Sequence, residues 1–147
     1  MVKVTKKVLE KVSSGSTRAS VSHGVGRRKA ATARVWCYRG EGGIKVNGQG
    51  VDGYFPTHAL RSVVFLPMTV VPQVAKCYDI VINVHGGGLA GQADAVKLGI
   101  ARAFVEMHSD IRSVLRQHKL LTVDDRIKER KKPGQRAARA KFQFVKR

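Results

Sequence analysis

Acidic residues are scarce in this chain: ten Asp and Glu stand against twenty-eight Lys and Arg in 147 residues, for a formal net charge of +18. Cysteine is nearly absent, with only Cys37 and Cys77 and no CxxC pair. Neither lies at metal-ligand spacing from the five histidines, so no metal site is predicted. The two thiols read as reduced, structural residues of a reducing compartment. Long apolar runs are also lacking. The best of them, residues 63–71, is broken by Pro67 and is far shorter than the roughly 18 residues that span a bilayer, so a soluble protein is expected. Near the start, Lys3, Lys6, Lys7 and Lys11 interrupt Val2, Val4, Val8, Leu9 and Val12, which leaves no continuous core for a secretory signal. With Glu10 present and arginine rare, this stretch reads as a basic extension in preference to an organellar transit peptide.

The motifs of common enzyme classes are missing as well. There is no GxxxxGK[ST] phosphate loop and no GxSxG nucleophile elbow. Gly48, Gly50 and Gly53 spell GxGxxG, but a dinucleotide site needs a helix that starts there, and Pro56 would end one almost at once. The run from His85 through Gly88 resembles an esterase oxyanion loop that has no nucleophile to serve. Asp79, Asp94, Glu106, Asp110, Asp124 and Asp125 form no evident acid–base pair. No catalytic residue, cofactor or small-molecule substrate is predicted.

What the chain does hold is positive charge, unevenly placed. Residues 1–43 carry a net +8, residues 44–125 a net +1 and residues 126–147 a net +9. Runs this dense repel themselves and stay extended until a polyanion neutralises them. The division predicts a basic N-terminal extension over residues 1–23, one globular RNA-binding domain over 24–125 and an extended basic tail over 126–147. With 43% hydrophobic residues the chain can bury a core, which the middle should supply.

Within that middle, Lys29 to Arg39 alternates Ala33, Val35 and Cys37 with Arg34, Trp36 and Tyr38, which predicts a strand with one packed face and one face of cations and aromatics. Gly40, Gly42 and Gly43 suggest a turn, and Ile44 to Val46 a return strand making a hairpin. Val51 to Phe55 reads as one helical turn, and Ala59 to Leu66 as a short amphipathic piece that stops before Pro67. Tyr78 to Val84 alternates as a strand and runs into Gly86, Gly87 and Gly88. The longest helix follows, its stripe formed by Leu89, Ala93, Val96, Ile100, Ala103 or Phe104, and Met107. Gly99 inside it costs about 0.5–1 kcal/mol, which suggests that a close helix contact requires it. A second helix, capped by Ser109 or Asp110, is expected to bury Ile111, Val114, Leu115 and His118 and to present Arg112, Arg116 and Lys119. Thr122 and Asp125 fit a capping box, predicting a further turn over residues 126–132 before Pro133 and Gly134.

Candidate anion contacts follow from this layout. Gly86, Gly87 and Gly88 either open the helix N-terminus to a phosphate or simply make a tight turn. Arg27, Arg28 and Lys29 sit at a strand entrance, Arg34 on the open strand face, and Arg112 and Arg116 on an exposed helix face. The tail offers Arg126, Arg130, Lys131, Lys132, Arg136, Arg139 and Lys141, with Phe142 and Phe144 placed either to stack on unpaired bases or to dock on the protein's own core. No helix-turn-helix, zinc finger or zipper is present, so RNA is a better partner than duplex DNA.

The ordered blocks GRRKAATARV (residues 26–35), IKVNG (44–48), GGGLAGQADAVKLGIARA (86–103), LLTVDDRIKERKKPG (120–134) and QFVKR (143–147) resemble the small-subunit ribosomal protein nine family. The resemblance implies an α+β domain with helices on one side of a mixed sheet, and a structural role in translation. Its implied partners are small-subunit ribosomal RNA, which the tail threads toward the decoding region, and neighbouring ribosomal proteins, with no membrane. It also implies that Lys146 and Arg147 reach the anticodon stem-loop of peptidyl-site tRNA. A Lys-Arg ending is similar to bacterial and organellar members, since eukaryotic cytosolic and archaeal ones usually finish with Tyr-Arg. A cytoplasmic ribosome is therefore implied, with a mitochondrial or plastid one as the alternative. Val145 stands where bacterial members commonly have Ser, and PGQRAARAKF (133–142) where a Tyr-Gly and denser cations are usual. Two other readings compete. An RNA-processing or nucleotide-acting enzyme of related fold needs a nucleophile, metal cluster or phosphate loop. A basic membrane-surface protein needs a cationic amphipathic helix, whereas the longest helix balances Lys97 and Arg102 against Asp94 and Glu106.

Overall fold

A computed structural model describes residues 19–145. Most of the predicted N-terminal extension, and both Lys146 and Arg147, lie outside the described residues. The strands are β1 (Ser22–Arg28), β2 (Ala31–Arg39), β3 (Ile44–Val46), β4 (Gln49–Gly50) and β5 (Tyr78–His85). The helices are α1 (Val51–Tyr54), α2 (His58–Val70), α3 (Pro72–Ala75), α4 (Leu89–Met107) and α5 (Arg112–Gln117), with a 3-10 turn at Ser109–Ile111. One mixed sheet runs in the order β1-β2-β5-β3-β4, with β3 and β5 parallel and the other pairs antiparallel. In class this is the α+β fold expected, with helices covering one sheet face.

Alternation in β2 and β5 decides which face is covered. Ala31, Ala33, Val35 and Cys37 are buried on β2, and Ile80, Ile82 and Val84 on β5, while their neighbours stay half-buried or exposed. Helix α4 lies over the covered face with α2 packed against it, and it buries Leu98 and Ala101 beyond the predicted stripe. Leu89, in that stripe, is exposed at the helix start. Cys37 is inside this core, and burial, with the Glu106 carboxylate adding to it, pushes its thiol up to about 11. Cys77 is exposed, and both thiols are free.

The closest packing is between β1 and α4. A Cβ on Gly24 would overlap the Gly99 carbonyl, and one on Gly26 the Ala95 carbonyl. A Cβ on Gly99 would lie 2.7 Å from Val35 Cγ2. Three glycines thus let strand and helix backbones touch, and the close contact at Gly99 is made with the sheet.

Several expectations are corrected. Ile44 to Val46 does not return against β2: it lies beyond β5, parallel to it, and makes its hairpin with β4 through Asn47 (φ 48°) and Gly48 (φ 81°). Asn-Gly suits a two-residue turn because both positions need positive φ. Asn47 also continues the β5 ladder, its side-chain amide donating to the Val84 carbonyl and accepting from the Val84 N–H, each at 2.9 Å. Helix α2 does not stop before Pro67 but contains it, fully buried, near its C-terminal end. Only the hydrogen bond to Val63 is forfeited there, and burial of the ring offsets that loss. His118 and Val114 are exposed, so α5 anchors through Leu115, with Ile111 half-buried. The helix expected over 126–132 is absent.

Because the β1–α4 contact is backbone to backbone, Gly26→Ala should destabilise the domain by about 2–3 kcal/mol or prevent folding. Gly53→Ala, at a position with nothing within 4 Å of an added Cβ, should change stability by less than about 1 kcal/mol in the same urea titration.

Candidate nucleic-acid interface

Two turns meet at one end of the sheet, the second of them built on glycine. Lys29 (φ 52°) and Ala30 join β1 to β2, and Gly86 (φ 77°) and Gly87 (φ 63°) join β5 to α4. Thr32 pairs with His85, and a Cβ on Gly86 would overlap the Ala30 carbonyl. Gly86 and Gly87 are therefore required by backbone geometry. Gly88, the helix N-cap residue, faces open space. The side chains of Arg27 and Lys29 are exposed at this end, beside the first turn of α4.

Arg28 turns inward. Its Nη1 donates to the carbonyls of Asp124 (2.7 Å) and Arg126 (3.0 Å), its Nη2 pairs with Asp124 (3.0 Å), and its Nε lies 3.7 Å from Asp94. Arg126 grips the same Asp124 carboxylate through Nε, Nη2 and its backbone N–H, at 2.9, 2.7 and 3.1 Å. These hydrogen bonds, aided by the Arg28 charge, hold the Asp124 carboxyl well below the usual carboxylate range. They also explain the missing helix: the Asp124 side chain takes the N–H two residues on, which fixes a local turn in place of a helix cap. The tail is thus tied to the β1 hairpin where it leaves the domain. Arg27, Lys29, Arg102, Asp124 and Ile127 line a cleft of about 650 Å³ at this junction.

Beyond the tie the described residues form no helix or strand. Arg130, Lys131, Lys132, Arg136, Arg139 and Lys141 are all exposed, and Glu129, the one acid of the tail, pairs with Arg139 (2.8 Å) and more loosely with Lys132 (3.8 Å). Phe142 is 65% and Phe144 103% exposed, so neither docks on the domain's core. Arg112 and Arg116 are exposed on α5, and Arg34 on the uncovered sheet face. Sequence reasoning missed Arg102, whose guanidinium donates to the Val25 carbonyl at 2.7 Å, and Lys45, exposed on β3. Arg102 had a legible signal in its spacing from the α4 stripe, but Lys45 needed the sheet order.

The acids are engaged elsewhere. Asp79 accepts the N–H groups of Glu41 (3.1 Å) and Gly43 (2.8 Å), Glu106 that of His23 (2.7 Å), Asp52 pairs with Arg61 (2.6 Å), and Asp94 with Lys97 (2.8 Å). Among the described residues no three His, Cys, Asp or Glu side chains gather into a metal-holding group, and no helix is long and apolar enough to cross a membrane. By class, this is a one-faced α+β domain in which several acids are engaged within the chain and the cations of the described tail point outward.

The family model for ribosomal protein S9/S16 matches residues 26–147. The chain is 49% identical over 127 residues to the small ribosomal subunit protein uS9 of Cytophaga hutchinsonii, covering 86% of this chain and 98% of that one. It is 48% identical over 126 residues to the protein of that name from Lawsonia intracellularis, covering 86% and 96%. The chain belongs to the ribosomal protein S9/S16 family.

If Asp124 ties the tail to the domain, Arg28→Ala or Asp124→Asn should speed proteolytic cleavage within residues 121–130 several-fold while the sheet stays folded. The same release should occur with acid. A carboxylate held below its ordinary value near 3.8 stabilises the native contact fully above that pH and loses it progressively as the pH falls further. Cleavage by an acid-tolerant protease should therefore be flat from pH 7 to about 5 and rise below about 4.

Proposed function

We propose that the chain is a structural constituent of the small ribosomal subunit that binds ribosomal RNA through its basic ends. The observation that carries this reading is the family match over residues 26–147, in which the described part of the tail is a run of exposed cations with a single acid. Phosphates are the natural counter-charge for Arg27, Lys29 and Arg102 at the hairpin end and for the tail cations beyond Arg126. The open first turn of α4 at Gly88 adds backbone N–H groups that favour an anion there. Phe142 and Phe144 are free to stack on unpaired bases. Neighbouring ribosomal proteins are further partners, and the site is a ribosome of bacterial type, cytoplasmic or organellar.

In this reading Lys146 and Arg147 contact the anticodon stem-loop of peptidyl-site tRNA, as two cations at the end of a tail that Arg28 ties to the domain at its start. Absence of the Ser hydroxyl at Val145 costs one polar contact and leaves both charges in place. The family is one of ribosomal proteins and not of enzymes, so the RNA-processing alternative has no support beyond fold-level analogy.

Binding of the full chain to a small-subunit ribosomal RNA fragment should weaken steeply with salt. For about six to eight phosphates neutralised, the log–log slope should be about −4 to −7, and a slope near zero would remove the basis of the reading. Small subunits assembled with a chain lacking Lys146 and Arg147 should form normally and bind peptidyl-site tRNA about tenfold more weakly. Unchanged tRNA affinity in those particles refutes the role of the two residues.

A further inference from the structure

We propose that the uncovered face of the sheet is a separate RNA site, where an unpaired base stacks on Trp36 and the flanking phosphates lie on Arg34 and Lys45. The proposal rests on the reading of the protein as an RNA binder. Among the described residues the helices cover the face that carries Ala33, Val35 and Cys37 and leave the other open. On the opposite face the strand registers align His23, Trp36, Val81 and Lys45 across four strands, and place Arg34 beside Asn83 in the next row. Rows on one face are about 6.5–7 Å apart, the scale of a nucleotide step.

Three observations choose the occupant. Trp36 is half-buried, with the His23 ring 5.3 Å away and tilted by 45°, so one flank is supported while the residue stays accessible. Arg34 and Lys45 are exposed and make no ion pair among the described residues. Asp79 is the one acid that the registers put on this face, at its margin, and its carboxylate is already taken by two backbone N–H groups. A cationic surface with an aromatic centre complements a splayed nucleotide. Protein interface cores are instead depleted of charge, and a duplex hides its bases from a flat sheet.

Trp36 is the chain's sole tryptophan, so its emission reports on this face alone. The full chain is titrated with an unlabelled single-stranded RNA 12-mer and, separately, with a duplex of equal length, while anisotropy of labelled RNA measures total binding. Single strands should quench Trp36 emission by half or more at saturation, and the duplex should leave it nearly unchanged. Trp36→Leu should weaken single-strand binding about five- to tenfold. Because that change touches a half-buried residue, the exposed pair Arg34→Gln/Lys45→Gln provides a second variant, with a similar loss expected. If anisotropy saturates with Trp36 emission unmoved, RNA binds only the basic ends, and this proposal falls while the functional reading stands. If no RNA binds at all, both fall. Cross-links from Trp36 in assembled subunits that reach only protein would also overturn the proposal.

Discussion

At Gly24 and Gly26 strand β1 meets helix α4 backbone to backbone, and the placement of everything at the hairpin end follows from that contact. Gly24 and Gly26 give up their Cβ atoms so that the strand can lie on the carbonyls of Gly99 and Ala95, and Gly99 gives up its own to admit Val35. Glycine in a strand and in a helix interior each carries an entropic penalty, here accepted at three positions to bring two backbones together. The contact fixes the Lys29 turn against the start of α4. It also sets Arg28 where it can reach Asp94 on the helix and Asp124 on the departing tail.

Charge is sorted around this frame. Three of the domain's carboxylates hold something internal: a loop in the case of Asp79, a strand N–H in that of Glu106, the tail in that of Asp124. Carboxylates used in this way cannot neutralise the outward-facing cations, so the net excess of +18 is left to the surface and the ends. The core supplies stability through apolar burial, while the ends carry a self-repulsion that only an external polyanion can relieve.

What could be read from the sequence follows the same division. Strands β2 and β5 and helix α4 were legible because each puts apolar residues on one face at a regular period. Strand β1 gave no such signal, since the positions facing the helix are Ser22, Gly24 and Gly26, and glycines that permit contact look like glycines of a loop. The pairing of β3 was misjudged because its partner is β5, more than thirty residues later, whereas the hairpin rule assumes a local one. An Asn-Gly signal for the β3–β4 turn was present at 47–48. At Thr122 to Asp125 the capping pattern was real in sequence, but a tertiary contact from Arg28 and a local turn with Arg126 captured Asp124 first. The exposed cations of the tail were legible from composition alone. The inward turn of Arg28 was not, because only the fold reveals which acids lie beside it.

The central claim is that the domain is self-sufficient while the tail is completed by RNA. Hydrogen exchange at the backbone amides of residues 126–145, in the free protein and bound to a small-subunit ribosomal RNA fragment, tests it directly. The account predicts near-unprotected exchange in the free tail, slowing on RNA binding by about a hundredfold, with β2 and β5 protected throughout. A tail equally well protected with and without RNA would contradict it.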